Sequence, residues 1–212
     1  MKRLSMIFLG FIVVAASCNS PKKEDADTSE KDTTATATQY SLIKSSAEVK
    51  FTAYKTTEKK PVGGTFKTVE ISNTKEAATP LEALDGTEFN IPVKSLFTND
   101  ATGTRDPKII EHFFGAMANT DAISGTFKLN DDKTCVVDIT LNDKTVSVPF
   151  TYEVTSETYY SFKGVMNLED WDATAAVESI NNACKDLHTG PDGVSKTWSE
   201  VALEAEINFE KK

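Results

Sequence analysis

The sequence predicts an all-β domain, an eight-stranded antiparallel barrel carrying one or two short helices. Two observations lead there. Eight stretches beyond residue 45 place an apolar side chain at every second position, the period of a strand with one buried face. Short turns join four of these stretches in succession, and closing such a meander leaves no exposed sheet edge. A two-sheet sandwich gives the same alternation and stays open as an alternative.

The first strand turns Val49, Phe51 and Ala53 inward and Lys50, Thr52 and Tyr54 outward. After a turn at 59–64 the second runs through 66–71. There Phe66 and Val69 fall on opposite faces, which a bulge near Gly63-Gly64 explains. The third offers Phe89, Ile91 and Val93, with Pro92 among the outward residues as the mark of an edge or a bend. The fourth carries Ile123, Gly125, Phe127 and Leu129 and closes on Asn130-Asp131-Asp132. Cys135, Val137, Ile139 and Leu141 form the fifth, ended by Asn142-Asp143. Val146, Val148, Phe150, Tyr152 and Val154 form the sixth, and Tyr160, Phe162, Gly164, Met166 and Leu168 the seventh. Val201, Leu203, Ala205, Ile207 and Phe209 form the last.

Two interruptions have helical spacing. Residues 106–117 follow an Asp-Pro start and present Ile109, Ile110, Phe113, Phe114 and Met117. Residues 172–187 place Ala176, Ile180, Ala183 and Leu187 on one face, before a Gly-Pro-Asp-Gly turn at 190–193. Helices of this kind cap a barrel mouth or lie across it.

Residues 1–17 read as an export signal. Lys2 and Arg3 precede an apolar run from Leu4 to Val14 that is too short to span a bilayer. Ala15, Ala16 and Ser17 then lead into Cys18, similar to a bacterial lipoprotein cleavage site. That resemblance implies an acylated Cys18 as the mature N-terminus; an ordinary signal peptide is the alternative. Asn19 to Gln39 contains no large apolar residue, and residues 18–39 read as the acylated cysteine and a disordered acidic tether, spanning roughly 25 Å. Residues 40–212 remain as one domain.

Removing residues 1–17 deletes two basic and no acidic residues, taking the formal charge from −9 to −11. So acidic a chain is not expected to bind nucleic acid. Membrane attachment then rests on several acyl chains. Asn19 after the cysteine favours the outer membrane, and Glu24-Asp25-Ala26-Asp27 resembles surface-export signals, though a solvated tether reads the same. The expected location is the envelope, on an outer-membrane lipoprotein facing the periplasm or the cell surface. Cys135 and Cys184 either pair as a disulfide or stay as thiols, since spacing does not fix their distance. Oligomeric state, a dimer included, is open.

Seven phenylalanines share the inward phase: Phe51, Phe66, Phe89, Phe127, Phe150, Phe162 and Phe209. They either interdigitate into a filled core or line a slot for a long apolar molecule, with Gly125 and Gly164 letting the guest come close.

From Thr102 the chain reads TGTRDPKIIEHFF. With Val49-Lys50-Phe51, Gly64-Thr65-Phe66, Gly125-Thr126-Phe127 and the hairpin at 139–148, it resembles the YceI-like family over most of residues 45–210. The resemblance implies a lipocalin-like barrel holding a polyisoprenoid chain, such as that of a quinone, in an elongated tunnel. The residues expected to line it are Phe51, Phe66, Phe89, Ile91, Phe113, Phe114, Phe127, Val148, Phe150 and Phe162. Arg105 either meets a polar head group, such as a quinone carbonyl, or pairs with a carboxylate while Asp106 caps the helix. Two features depart from the family. Asn142-Asp143-Lys144 stands where a glycine turn is usual, and residues 172–198 are longer and more helical than a simple connection.

Chemistry-bearing motifs are sparse. His112 and His188 are the two histidines, and a zinc site would have to borrow Glu111 or Asp186. Gly-x-Ser-x-Gly elbows, thiol–histidine pairings and glycine-rich phosphate loops are missing from the sequence. Glu169-Asp170-Trp171-Asp172 reads as a helix-capping turn rather than an acid–base pair, and Trp171 and Trp198 as core or rim anchors. The expectation is therefore a non-enzymatic lipid-binding protein, without metal or cofactor, that carries, stores or senses an isoprenoid or acyl lipid. A surface or assembly module with a solid barrel core is the alternative.

Overall fold

The computed structural model describes residues 38–130 and 134–212. The export signal, Cys18 and the tether up to residue 37 lie outside the described residues, as do Asp131 and Asp132 of one predicted turn. In chain order the strands and helices are β1 (Tyr40–Leu42), β2 (Glu48–Lys55), β3 (Lys60–Phe66), β4 (Glu70–Ser72), α1 (Pro80–Leu84), β5 (Glu88–Pro92), β6 (Leu96–Phe97), α2 (Arg105–His112), β7 (Ala122–Leu129), β8 (Thr134–Leu141), β9 (Lys144–Ser156), β10 (Tyr159–Asn167), α3 (Thr174–Ala183), α4 (Lys185–His188) and β11 (Thr197–Lys211).

The described strands number eleven, not the eight expected, and all pair antiparallel. Their order is β4-β5-β7-β8-β9-β10-β11-β2-β3-β6, with β1 added to the end of β11. The surplus has a simple cause. β3 continues into β4 after three residues, and β5 continues into β6 across a 3-10 turn at Val93–Ser95. Because β3 pairs with β6 and β4 with β5, the two ends of the sheet are joined through the chain, and the barrel closes as eight ribbons.

Two details of the second ribbon differ from expectation. The hairpin turn occupies Thr56 to Lys59, both with positive φ (59° and 58°), and the Lys59 N–H donates to the Thr56 carbonyl. Gly63 and Gly64 pair regularly with Thr52 and Phe51, so no bulge sits there. The phase conflict between Phe66 and Val69 arises because the ribbon breaks after Phe66. Pro92 ends β5 at the bend, where its fixed φ of −60° suits the start of the 3-10 turn.

The helices form the two ends. α2 stops at His112, and a 3-10 turn at Phe114–Ala116 finishes the segment predicted as one helix. The second predicted helix starts later, at Thr174, and breaks at Cys184 into α3 and α4. α2 packs on α3 at one end, and α1 packs on β1 and β7 at the other. α1 was not foreseen, although Thr79-Pro80-Leu81-Glu82 is a capping box with proline at the first turn. The acidic cluster forms a 3-10 turn at Leu168–Trp171, capped by the Asn167 side chain, which accepts from the Glu169 N–H at 3.2 Å. Trp171 has no exposed surface, and its indole N–H donates to the Ile139 carbonyl at 2.9 Å. No helix of the described residues is long and apolar enough to cross a membrane.

Candidate functional site

Three phenylalanines of the barrel wall stand directly opposite a glycine on the next strand: Phe51 against Gly64, Phe89 against Gly125, and Phe150 against Gly164. Side chains directly opposite share a face of the sheet. A Cβ on these glycines would meet the facing ring at 2.4, 2.5 and 2.9 Å. Gly125 and Gly164 therefore receive phenylalanine rings rather than opening the wall to a guest, as the sequence had suggested. The rings fill the space a side chain would take, instead of all projecting to the barrel axis.

The interior holds two adjoining cavities. The inner, of about 160 Å³, is lined by Phe51, Phe66, Phe89, Ile91, Phe127, Phe150 and Phe162 among other apolar side chains, with Thr87, Glu48 and Glu204 as its polar members. The outer, of about 460 Å³, lies beneath α2, α3 and α4 and takes in Phe113, Phe114, Val177, Ile180 and Trp198. Six residues border both: Phe51, Phe66, Ile123, Leu141, Met166 and Leu203. The two cavities therefore adjoin along the barrel at these six side chains.

Two inward residues stand apart from it. Val148 is 3 % exposed and faces Val137 across the sheet, yet it borders neither cavity. Phe209 is equally buried but packs edge-on against Tyr160, with ring centroids 5.5 Å apart, and faces Leu42 of β1.

The outer cavity ends in a polar mouth. Arg105 Nη2 lies 3.5 Å from Asp100 Oδ1. The Asp100 carboxylate also accepts from the Thr102 hydroxyl and from the backbone N–H groups of Thr104 and Arg105 at 3.2 and 3.3 Å. These bonds, led by the hydroxyl, hold its pKa below the ordinary value. Asp106 is not the cap expected of it; its carboxylate accepts from the Thr98 N–H at 3.1 Å and from the Thr98 hydroxyl. Asp100 takes the capping part, and Asp106 ties α2 back to the chain leaving β6.

Lys55, Lys108 and His188 complete the mouth. Burial lowers the pKa of Lys55, and repulsion from Lys60 and Arg105 adds to it. His188 is pushed down to about 4 by burial and then by Lys55. Its Nδ1 lies 2.7 Å from Thr197 Oγ1, which itself donates to Asn181 at 2.9 Å, so Nδ1 carries the proton and donates. Sequence reasoning missed these residues, though a signal was there. Lys55 continues the inward phase of Val49, Phe51 and Ala53, and Lys108 shares a helix face with Arg105 and Ile109.

The remaining candidates are structural. Cys135 and Cys184 are both free and buried, so they form no disulfide. His112 lies 3.9 Å from the exposed Glu111. Among the described residues no group of three or more His, Cys, Asp and Glu side chains is placed to hold a metal ion. The Trp198 indole donates to the Thr56 carbonyl at 2.8 Å while Lys196 Nζ sits 3.7 Å from its ring, an anchor at the rim.

Fold and site together define a small antiparallel barrel of the lipocalin-like kind, with an apolar bore under a helical cover. The chain belongs to the YceI-like family, whose domain matches residues 40–209. Among solved structures it is similar to a polyisoprenoid binding domain from Saccharophagus degradans implicated in plant cell wall breakdown. The two are 13% identical with a TM-score of 0.56, over 81% of this chain and 97% of that one. BcnA of Burkholderia cenocepacia is 15% identical, with a TM-score of 0.47 over 77% of this chain and 96% of that one. The YCEI protein of Campylobacter jejuni is 16% identical, with a TM-score of 0.42 over 69% and 84%. At 13% identity the first likeness establishes a shared fold. No curated protein matches the chain.

Proposed function

We propose that the protein holds one long-chain isoprenoid, such as that of a polyprenyl quinone, or a related acyl lipid, with the tail inside the bore. In this reading it is a non-enzymatic carrier, store or sensor in the cell envelope, fixed to the outer membrane through an acylated Cys18. The observation that carries the reading is the adjoining pair of cavities, the inner almost wholly apolar and the outer apolar up to its polar mouth. The outer one alone is in the range of about 300–1,000 Å³ usual for small-molecule sites. The polyisoprenoid binding of the Saccharophagus degradans domain supports the choice of guest.

Energetics favour a long tail. One five-carbon isoprene unit contributes up to about 4 kcal/mol on burial, at about 0.8 kcal/mol per carbon. Micromolar affinity needs about 8 kcal/mol net, and lost motion consumes part of the gross gain. Several units are therefore required, which a small polar metabolite does not supply. The scaffold alternative needs a filled interior, and cavities of about 160 and 460 Å³ count against it.

The test is mild organic extraction of protein purified from its native host, followed by mass spectrometry. A long-chain lipid at one equivalent is expected. Protein that yields none, and that after delipidation takes up no added isoprenoid or acyl chain, would refute the proposal.

A further inference from the structure

The mouth of the bore carries a charge opposite to that of the chain. The whole sequence has a formal charge of −9. Yet Lys55, Arg105 and Lys108 all border the outer cavity, and Asp100 is the one carboxylate that does so. All three cations are partly buried. Arg105 alone has an acidic partner, at 3.5 Å through Nη2. Among the described residues, Lys55 and Lys108 form neither an ion pair nor a side-chain hydrogen bond. Several lysines elsewhere do have a carboxylate partner: Lys50 with Glu206, Lys59 with Glu200, Lys128 with Asp138 and Lys144 with Asp172. Two lysines without a carboxylate partner thus stand beside Arg105 where an apolar bore meets solvent.

Partial burial of unpaired charge carries a cost that an anion offsets. We infer that the outer cavity recognises an anionic head group, a carboxylate or a phosphate ester, joined to the tail in the bore, with Lys55, Lys108 and Arg105 as its partners. Arg105 supplies a planar fork whose contact with Asp100 occupies one edge, and the two lysines supply point charges. Lys55 follows Ala53 in the inward phase of β2, and Lys108 lies one turn beyond Arg105 on α2. The three therefore approach from two elements rather than one. Burial, and after it repulsion from Lys60 and Arg105, already disfavours charge on Lys55, and a bound anion offsets both. This inference rests on the lipid-binding reading and narrows it from apolar chains in general to amphiphiles with a negative end.

Delipidated protein is titrated at low ionic strength with two matched pairs: a long-chain fatty acid against its methyl ester, and a polyprenyl phosphate against the polyprenol of equal length. Each anion is expected to bind about tenfold more tightly than its neutral partner, and added salt should shrink that ratio. The larger ratio tells which anion the mouth suits. In the double variant K55Q/K108Q the ratio should fall towards one, and in K55R/K108R it should persist. Equal binding of anion and neutral partner by the wild-type protein would overturn the inference while leaving the lipid-binding reading intact, as would a ratio unchanged in K55Q/K108Q. Failure of all four probes would overturn both.

Discussion

The ring of Phe150 covers Gly164 on the neighbouring strand so closely that a methyl group on that glycine would lie 2.9 Å from three ring carbons. Phe89 over Gly125 repeats the relation, with one difference. There the added methyl would also come within 2.1 Å of the Asp138 carbonyl oxygen. A ring end can swing aside, whereas a backbone oxygen in a paired strand cannot. Gly164→Ala is expected to cost about 1–2 kcal/mol and Gly125→Ala about 3 kcal/mol or more. Denaturation midpoints in urea give the order; an equal or reversed order would show that the Asp138 carbonyl does not crowd Gly125, and no loss at either site would show that the rings are not seated on the glycines.

Asn142 combines a backbone and a side-chain task. Its φ of 53° suits the tight turn between β8 and β9. Its side chain accepts from the Ala118 N–H and donates to the Trp171 carbonyl, both at 2.8 Å. Asn142→Gly keeps the turn but loses both ties, for an expected loss of about 1–2 kcal/mol. Amide exchange should quicken around Ala118 and Trp171, and unchanged exchange there would contradict the role.

Leu203 borders both cavities from β11. Leu203→Trp places a larger side chain at their junction. Uptake of a fluorescent isoprenoid or acyl probe should weaken at least about tenfold, equivalent to about 1.4 kcal/mol, while the far-ultraviolet circular dichroism stays that of a β protein. Undiminished uptake by such a folded variant would place the guest elsewhere.

The two thiols should differ in reactivity. Cys135 has no exposed surface, faces the Phe150 carbonyl at 3.6 Å, and is pushed by burial up to about 11. Cys184 borders the outer cavity. A thiol reagent applied to the native protein should label Cys184 slowly and spare Cys135, and a bound lipid should slow the labelling. Peptide mapping by mass spectrometry locates the adducts; preferential labelling of Cys135 would run against the structure.

His188 gives stability an acid limit. Its folded pKa of about 4 lies below the ordinary 6.5, so the unfolded chain binds the proton more readily. The contribution is fully present above pH 6.5 and is lost as the pH falls from there to about 4. Because the ring is only partly buried, the expected size is about 1–2 kcal/mol after solvent screening. Stability curves of the native protein and of His188→Gln should diverge across that window; parallel curves would remove His188 as the cause.

The meander was legible because period-2 alternation forces one face inward whatever the tertiary context. On that ground alone Phe127, Phe150 and Phe162 read as inward, and in the structure they are buried. The broken ribbons were not legible in the same way. Phase says which side Phe66 and Val69 occupy, but a three-residue gap between strands of one ribbon looks like a bulge. The helices at 106–117 and 172–187 were readable from spacing, whereas α1 was not, and the break at Cys184 follows from where α3 and α4 lie on the barrel end. The mouth was hardest. Lys55 lies one step beyond the strand positions that the alternation marks, and a charge in an inward position argues against burial until a cavity is seen beside it. Whether the rings filled the barrel or lined it depended on the Phe–Gly pairings, which are contacts between strands and therefore outside any single strand's pattern.

One consequence follows from the interrupted ribbons. Between the β3/β4 ribbon and the β5/β6 ribbon, paired residues occur at two positions near one end and three near the other, against nine between β10 and β11. Each missing rung forgoes about 1 kcal/mol of net stabilisation. The cylinder therefore has a seam, the least stitched line in its wall, while the meander opposite is paired along its whole length.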